Sequence, residues 1–192
     1  MTNTSILVLF HSQHGSTRKL AQQIALGAES VGAQAVLRCP PPLSGQDSAN
    51  QDVPVTKQEL QNCDGLALGS ATRFGQMAVE LKQFMETTSD IWLRGDLVDK
   101  PACVFTSSSS MHGGQESTLL SMALPLIHHG MLLLGIPYSE PELHSTQSGG
   151  TPYGASHVAK DFSNKLSDEE KKLAFALGKR LAVSARKLKQ GT

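Results

Sequence analysis

The sequence predicts an α/β fold in which a doubly wound, five-stranded parallel sheet carries helices on both faces. Apolar runs of strand length recur along the chain, and segments with apolar residues at helical spacing separate them. Strands that alternate with helices form parallel sheets, and continuous apolar runs are typical of strands covered on both faces. No apolar run approaches the ~20 residues that a membrane span needs, so none is predicted.

The first strand is predicted at residues 6–10, and a loop of small polar residues separates it from the first helix. Hydroxyl groups in this loop and the free N–H groups at the helix start can bind an anion together, and a glycine allows close approach. The loop also fits a plain joint in which serines cap the helix. It contains neither a Walker sequence nor a dinucleotide fingerprint. Its residues are Ser12, Gln13, His14, Gly15, Ser16 and Thr17.

The rest of the chain repeats the alternation of strands and helices. Capping boxes at residues 56–59 and 167–170 predict the starts of a short helix and of the final helix. Surface loops are predicted at residues 44–55, 89–100 and 137–164, and a loop as long as the last one usually has a function. Further strands are predicted at residues 34–38, 64–70, 102–106 and 131–136.

Polar loops follow the first, third and fourth predicted strands. In a doubly wound sheet, ligands bind outside the carboxyl ends of the strands, where such loops converge. The sequence therefore predicts one site for a flat, polar ligand that carries a single phosphate. The third strand contributes Thr72, Arg73, Phe74 and Gly75, and the fourth contributes Ser107, Ser108, Ser109, Ser110, Met111, His112 and Gly113.

Composition excludes several classes of partner. Lysine plus arginine and aspartate plus glutamate each number 17, so no overall field favours nucleic acid or an anionic membrane. The three cysteines lack CxxC spacing and are interpreted as buried free thiols in a reducing compartment. No basic segment precedes the first strand, so we expect a cytoplasmic protein with one domain over residues 1–192. The histidines lack metal-ligand spacing, and no metal is predicted.

Five stretches occur in one order that resembles the WrbA family of flavodoxin-like NAD(P)H:quinone oxidoreductases. They lie at residues 12–17, 69–75, 112–116, 128–131 and 149–154. This resemblance covers nearly the whole chain and implies a flavodoxin-like fold with non-covalently bound FMN. It further implies that NADH or NADPH delivers hydride to flavin N5 and that a quinone then accepts two electrons, in a ping-pong sequence.

The resemblance also implies roles for individual residues. Residues 12–17 would hold the FMN phosphate, Thr72, Arg73 and Phe74 would line the isoalloxazine, and residues 107–113 would follow its other edge. His14 would lie beside the nicotinamide, and Trp92 would help to form the substrate cavity. No side chain is assigned as a general base, and His129 is the one considered for a catalytic role. His129 matches the family's histidine near the flavin, but it also fits a residue that balances a helix dipole.

The family resemblance implies a homotetramer, or a dimer, in which neighbouring chains complete each flavin cavity. Two other functions stay open as alternatives. One is a flavodoxin-type electron carrier, and the other is a regulatory flavoprotein without a dedicated quinone substrate. Electron carriers use charged, usually acidic surfaces to meet their partners, so the balance of 17 against 17 argues against the carrier.

Overall fold

Residues 4–43 and 52–191, the part of the chain that this computed structural model describes, contain a six-stranded parallel sheet. Its strands are β1 (Ser5–His11), β2 (Gln34–Arg38), β3 (Gly65–Ala71), β4 (Pro101–Ser108), β5 (Leu132–Leu133) and β6 (Ala155–Val158). The strand order is β2-β1-β3-β4-β5. Both β5 and β6 pair with β4: β5 pairs with the start of β4, and β6 pairs with its second half. The order of strands reverses between β1 and β3, which makes this the switch point of the sheet. The doubly wound parallel sheet predicted from the sequence is confirmed.

Helices cover both faces of the sheet, as predicted. Along β1, Ile6, Val8 and Phe10 pack on one face with α1 and α7, whereas Leu7 and Leu9 pack on the other with α3 and α5. This alternation follows from the two-residue period of a strand. The helices are α1 (Ser16–Glu29), α2 (Lys57–Asn62), α3 (Val79–Glu86), α4 (Ser89–Arg94), α5 (Gln115–His128), α6 (Glu142–Ser145) and α7 (Asp168–Gly191), with a 3-10 turn at Lys160–Phe162.

The sequence predicts five strands, whereas the described residues form six, and the prediction is wrong at one edge of the sheet. Only Leu132–Leu133 of the strand predicted at residues 131–136 pairs with β4, and β6 lies inside the loop predicted at residues 137–164. The Ile136 amide donates to the Pro152 carbonyl, at 2.9 Å, so the chain has left β4 by this point. The second half of β4 is therefore free to pair with β6.

One of the predicted loops contains a helix. The sequence predicts a loop at residues 89–100, but α4 occupies the first half of this stretch and carries Trp92. Gly95, at φ 72°, ends α4 in the left-handed conformation that is a common helix stop. Most of the loop predicted at residues 44–55 lies outside the described residues. Within the described ranges, no helix is long and apolar enough to cross a membrane.

Two glycines bring α1 and α7 into close contact. A Cβ on Gly27 would lie 2.0 Å from the Phe175 carbonyl oxygen, and one on Gly178 would lie 1.9 Å from the Ile24 carbonyl oxygen. No larger side chain fits at such separations, so the two backbones touch directly. The crossing fixes α1 against the sheet and thereby fixes the loop that precedes it.

Candidate functional site

A cavity opens at the carboxyl ends of β1, β3 and β4 and brings together the three polar loops predicted from the sequence. Its polar character comes mainly from hydroxyl groups, and Arg73 supplies a cation. Ala71 and Ala159 also line it, and neither is among the site residues predicted from the sequence. The lining residues are Ser12, Gln13, His14, Ser16, Thr17, Ala71, Thr72, Arg73, Ser107, Ser108, Ser109 and Ala159.

The first loop presents buried hydroxyls and the start of α1 to the cavity. Gly15 is the N-cap residue of α1 at φ 91°, and a glycine has no side chain with which to cap the helix. Ser12 Oγ accepts a hydrogen bond from the Arg18 amide at 3.2 Å. Thr17 Oγ1 lies 2.9 Å from Ser107 Oγ, so one of the two hydroxyls donates to the other and the remaining proton can be donated to a ligand. These features make an anion site.

A group of threonines fixes the second loop. Thr72 Oγ1 lies 3.3 Å from Thr106 Oγ1 and 3.2 Å from Thr118 Oγ1, and the Thr72 amide donates to the Ser107 carbonyl at 2.8 Å. Thr106 and Thr118 are fully buried, on β4 and α5. The cavity wall at Thr72 is therefore held by two elements of the core rather than by its own loop.

Arg73 and Phe74 lie in a tight turn at the mouth of the cavity. Arg73 and Gln76 exchange two backbone hydrogen bonds, of 2.8 and 2.9 Å, while Phe74 has φ 50° and Gly75 has φ 77°. The Arg73 guanidinium donates to Gln13 Oε1 at 2.7 Å and so joins the second loop to the first. Phe74 is fully exposed in a backbone conformation that large side chains seldom adopt, so it does not line the cavity.

The third loop contributes its first half to the cavity. The Ser108 hydroxyl donates to the Ser110 carbonyl at 2.7 Å and accepts from Gln115 Nε2 at 2.8 Å, which fixes the loop to the start of α5. The predicted site residues from Ser110 to Gly113 are exposed and lie outside the cavity lining. The predicted role of these outer residues is not seen in the cavity of one chain.

Trp92 and His129 lie in a separate groove. They are at the end of α5 opposite the cavity, and the 14 residues of α5 place the two ends about 20 Å apart. The groove has a volume of about 710 Å³ and is largely apolar. Trp92 is half exposed there. The groove also includes Met77, Met85, Thr88, Leu124, Pro125 and His128.

His129 is buried in this groove with one ring nitrogen unused. The Thr88 hydroxyl donates to the Met85 carbonyl at 2.6 Å, so Thr88 Oγ1 accepts from His129 Nε2, at 2.9 Å. His129 Nδ1 has no hydrogen-bond partner among the described residues. Burial, with the charge of His128 adding to it, lowers the pKa of His129 below its ordinary value. His129 is therefore a neutral imidazole whose Nδ1 can accept a hydrogen bond.

The described residues contain no group of three His, Cys, Asp or Glu side chains arranged to bind a metal ion. The three cysteines are free and buried. Burial raises the pKa of Cys63 and that of Cys103 to about 12, so neither thiol is a nucleophile near neutral pH.

Comparison with known proteins identifies relatives of the whole chain. Residues 4–139 match the family described as NADPH-dependent FMN reductase. A protein from Rhizobium rhizogenes named NAD(P)H dehydrogenase (quinone) is 38% identical over 194 residues, which covers 95% of this chain and 98% of the relative. A protein of the same name from Syntrophobacter fumaroxidans is 40% identical over 199 residues, with the same coverage.

Solved structures share the fold. A flavodoxin, WrbA-like protein from Agrobacterium tumefaciens superposes with a TM-score of 0.72 at 23% identity, over 96% of this chain and 99% of that one. A flavodoxin from the domain Archaea gives a TM-score of 0.66 at 18% identity, over 95% and 99%. The flavodoxin-like fold and the resemblance read from the sequence are both confirmed. Because the family match spans more than half of the residues, the chain belongs to the NADPH-dependent FMN reductase family.

Proposed function

We propose that this chain is an FMN-dependent oxidoreductase that passes two electrons from NADH or NADPH to quinones. The observation that carries the proposal is the cavity at the switch point, where hydroxyl-rich loops from β1, β3 and β4 meet the N-terminus of α1, whose N-cap residue is Gly15. The names of the relatives, NAD(P)H dehydrogenase (quinone), agree with this activity. The chain acts as a single FMN-binding domain over residues 1–192.

The donors in the cavity fit the phosphate of FMN. Ser12 and Thr17 are buried hydroxyls at the start of α1, and Ser107 Oγ lies within hydrogen-bond distance of Thr17 Oγ1, at 2.9 Å. Hydroxyl groups and helix amides can donate hydrogen bonds to a phosphate without the help of a cationic side chain. The positive end of the helix dipole also favours a phosphate at this position. Gln13, His14, Gly15 and Ser16 complete the loop that binds it.

The other two loops suit the flavin ring. Thr72, Arg73, Ser107, Ser108 and Ser109 all line the cavity and present hydrogen-bond donors, as a planar ring with polar edges requires. Bound FMN supplies the redox chemistry, accepting a hydride from the nicotinamide and returning two electrons to the quinone. The protein positions the cofactor and its substrates, and His14 at the cavity edge contacts the nicotinamide.

We propose further that the active unit is a homotetramer in which a neighbouring chain completes each cavity. The cavity of one chain measures about 210 Å³, below the roughly 300–1,000 Å³ of typical ligand pockets. Leu120, Leu124 and Ile127 form an exposed apolar stripe along α5 beside Trp92, of the kind that protein contacts cover. In the assembly, the groove with Trp92 and His129 faces the cavity of a neighbour, where the free His129 Nδ1 accepts a hydrogen bond from the cofactor or substrate. Phe74 and the outer third loop, from Ser110 to Gly113, contact the flavin in this shared site.

The buried, free cysteines suit a reducing compartment, and we propose that the protein is cytoplasmic.

Oxidation of NADH and of NADPH by the FMN-loaded protein, with benzoquinone as acceptor, tests the activity. We expect parallel double-reciprocal plots, because the nicotinamide product leaves before the quinone binds. Flavin released by heating should be FMN and not FAD. Tight FMN binding without oxidation of either nucleotide would favour the electron-carrier alternative.

Light scattering tests the assembly. The wild type should have the mass of a tetramer, or of a dimer at low concentration. Leu124→Asp places a charge in the apolar stripe and should release monomers that bind FMN but turn over slowly. Glu116→Gln, an exposed change in the first turn of α5, serves as the control. A wild type that stays monomeric and fully active would contradict the shared site.

A further inference from the structure

A buried histidine and glutamate lie behind one wall of the cavity. His157 on β6 and Glu170 on α7 are each 1% exposed, and His157 Nδ1 lies 2.7 Å from Glu170 Oε2. Neither side chain is part of the cavity lining. Burying two ionisable groups is costly unless both are fully hydrogen-bonded, so the contacts around them show what the pair holds in place.

The Glu170 carboxylate holds three parts of the chain together. Oε1 accepts from the amides of Gly149, at 2.9 Å, and Val158, at 3.0 Å, while Oε2 accepts from the Ser167 amide at 2.9 Å and from His157. A carboxylate has about four acceptor positions, and all are used. One side chain thus joins the 149–154 loop, β6 and the start of α7.

His157 donates from both ring nitrogens. Its Nε2 lies 3.0 Å from the carbonyl oxygen of Ser163, which can only accept, so Nε2 carries a proton. Its Nδ1 faces a carboxylate oxygen and donates there as well. Burial by itself lowers the pKa of His157, but the hydrogen bonds to Glu170 and Ser163 outweigh it and raise the pKa above the ordinary value. The ring is therefore an imidazolium that connects Glu170 to Ser163.

The segment held by His157 runs from the third loop to the first. Ala159, directly after β6, donates from its amide to the Ser108 carbonyl at 2.7 Å and lines the cavity. Beyond the 3-10 turn, Asn164 Nδ2 lies 3.1 Å from the position that a Cβ on Gly15 would take. Residues 159–164 thus run from the cavity lining at Ala159, beside Ser108, to the N-cap of α1. The hydrogen bond to Ser163 holds the position next to Asn164.

We propose that residues 159–164 form a further wall of the phosphate site, with the Asn164 amide as an additional donor to the FMN phosphate, and that His157 and Glu170 are the positioning residues that hold this wall. This inference rests on the proposed binding of FMN. The Asn164 amide lies at the N-cap of α1, where the hydroxyls of the first loop and the helix amides converge. A glycine at position 15 leaves room for it.

Binding of FMN and of riboflavin, which lacks the phosphate, tests the proposal. Titrations followed by flavin fluorescence give the Kd of each ligand for the wild type, His157→Gln and Asn164→Ala. We expect His157→Gln to raise the Kd for FMN about tenfold or more, because the wall loses its charged anchor, while the Kd for riboflavin changes less than about twofold. Asn164→Ala should raise the Kd for FMN by about three- to tenfold without changing that for riboflavin.

Leu181→Ala is the matched control for loss of stability. Leu181 is fully buried on α7 and lies near Gly65, at the end of the sheet away from the cavity. This variant should lower the Tm and leave the ratio of the two Kd values unchanged. If His157→Gln behaves like the control, the pair only stabilises the fold and the proposal is wrong.

Asn164→Ala keeps the test decisive should His157→Gln not fold, because Asn164 is exposed. Unchanged FMN affinity in this variant overturns the role of Asn164. A wild type that binds riboflavin as tightly as FMN, or binds neither, contradicts the phosphate site itself and so the proposed function.

Discussion

Replacing Glu170 with glutamine should destabilise the protein strongly. The carboxylate accepts four hydrogen bonds while 1% exposed, and an amide offers only one acceptor oxygen. Whichever way the amide is turned, its NH2 group faces two donors, either those of Gly149 and Val158 or those of His157 and Ser167. The His157 imidazolium also loses its counter-charge. Breaking a buried ion pair in this way costs about 3–5 kcal/mol.

This magnitude is large for a chain with a total stability of about 5–15 kcal/mol. For proteins of this size each kcal/mol shifts the Tm by about 2–4 °C, so we expect a fall of about 6–20 °C. Urea unfolding followed by circular dichroism gives the free energy directly. Glu169→Gln, one residue earlier on the same helix and half-buried, is the control and should change stability by less than about 0.5 kcal/mol. A loss below about 1 kcal/mol for Glu170→Gln would refute the reasoning.

The difference between wild type and Glu170→Gln should also depend on pH. Burial by itself raises the pKa of Glu170, but hydrogen bonds from His157, Ser167 and Val158 hold it below the ordinary 4.5. Its stabilising contribution is complete above pH 4.5 and is lost as the pH falls through the folded-state pKa. The pKa of His157 lies above the ordinary 6.5, so its contribution is complete below pH 6.5 and is lost as the pH rises through the folded-state value.

The difference in stability should therefore be greatest between pH 4.5 and 6.5 and smaller on either side. Glu170 is the charged group in contact with His157, whereas Lys160, Asp161 and Lys165 on the neighbouring segment are exposed. A difference that does not vary with pH would show that the pair is not ionised in the folded protein.

Three further predictions concern the cavity and the thiols. Ser12→Ala with Thr17→Ala should weaken FMN binding by about 1.5–3 kcal/mol per lost contact to the phosphate, and unchanged affinity in a fluorescence titration would place the phosphate elsewhere. Arg73→Ala should alter FMN affinity or reduction potential while the apoprotein Tm stays nearly constant, since among the described residues the Arg73 side chain donates hydrogen bonds only to the Thr72 carbonyl and to Gln13 Oε1; a large loss of apoprotein stability with normal flavin binding would contradict this. Cys63 and Cys103, with pKa values of about 12, should resist iodoacetamide in the folded protein and react in urea. Mass spectrometry that finds either cysteine labelled in the folded protein would contradict this prediction.

The site divides into parts that local sequence could predict and parts that it could not. The loops after β1, β3 and β4 could be predicted because the apolar run of each strand stops at Ser, Thr or Gly residues, which marks the carboxyl end of the strand. The sequence also suggested Trp92 and His129 as site residues. It could not show that they lie in a groove separate from the cavity, because their positions depend on how α4 and α5 pack in the fold.

By itself, the sequence determined the parallel sheet, the helices on both faces and the three hydroxyl-rich loops. These follow from periods of two and 3.6 residues and from capping boxes, which are short-range signals. Only the tertiary structure decided that β6 pairs with β4, that Ala159 and Asn164 reach the first loop and that His157 meets Glu170. Such contacts join residues far apart along the chain, and a four-residue strand such as Ala155–Val158 becomes a strand only because the edge of β4 is free to pair with it.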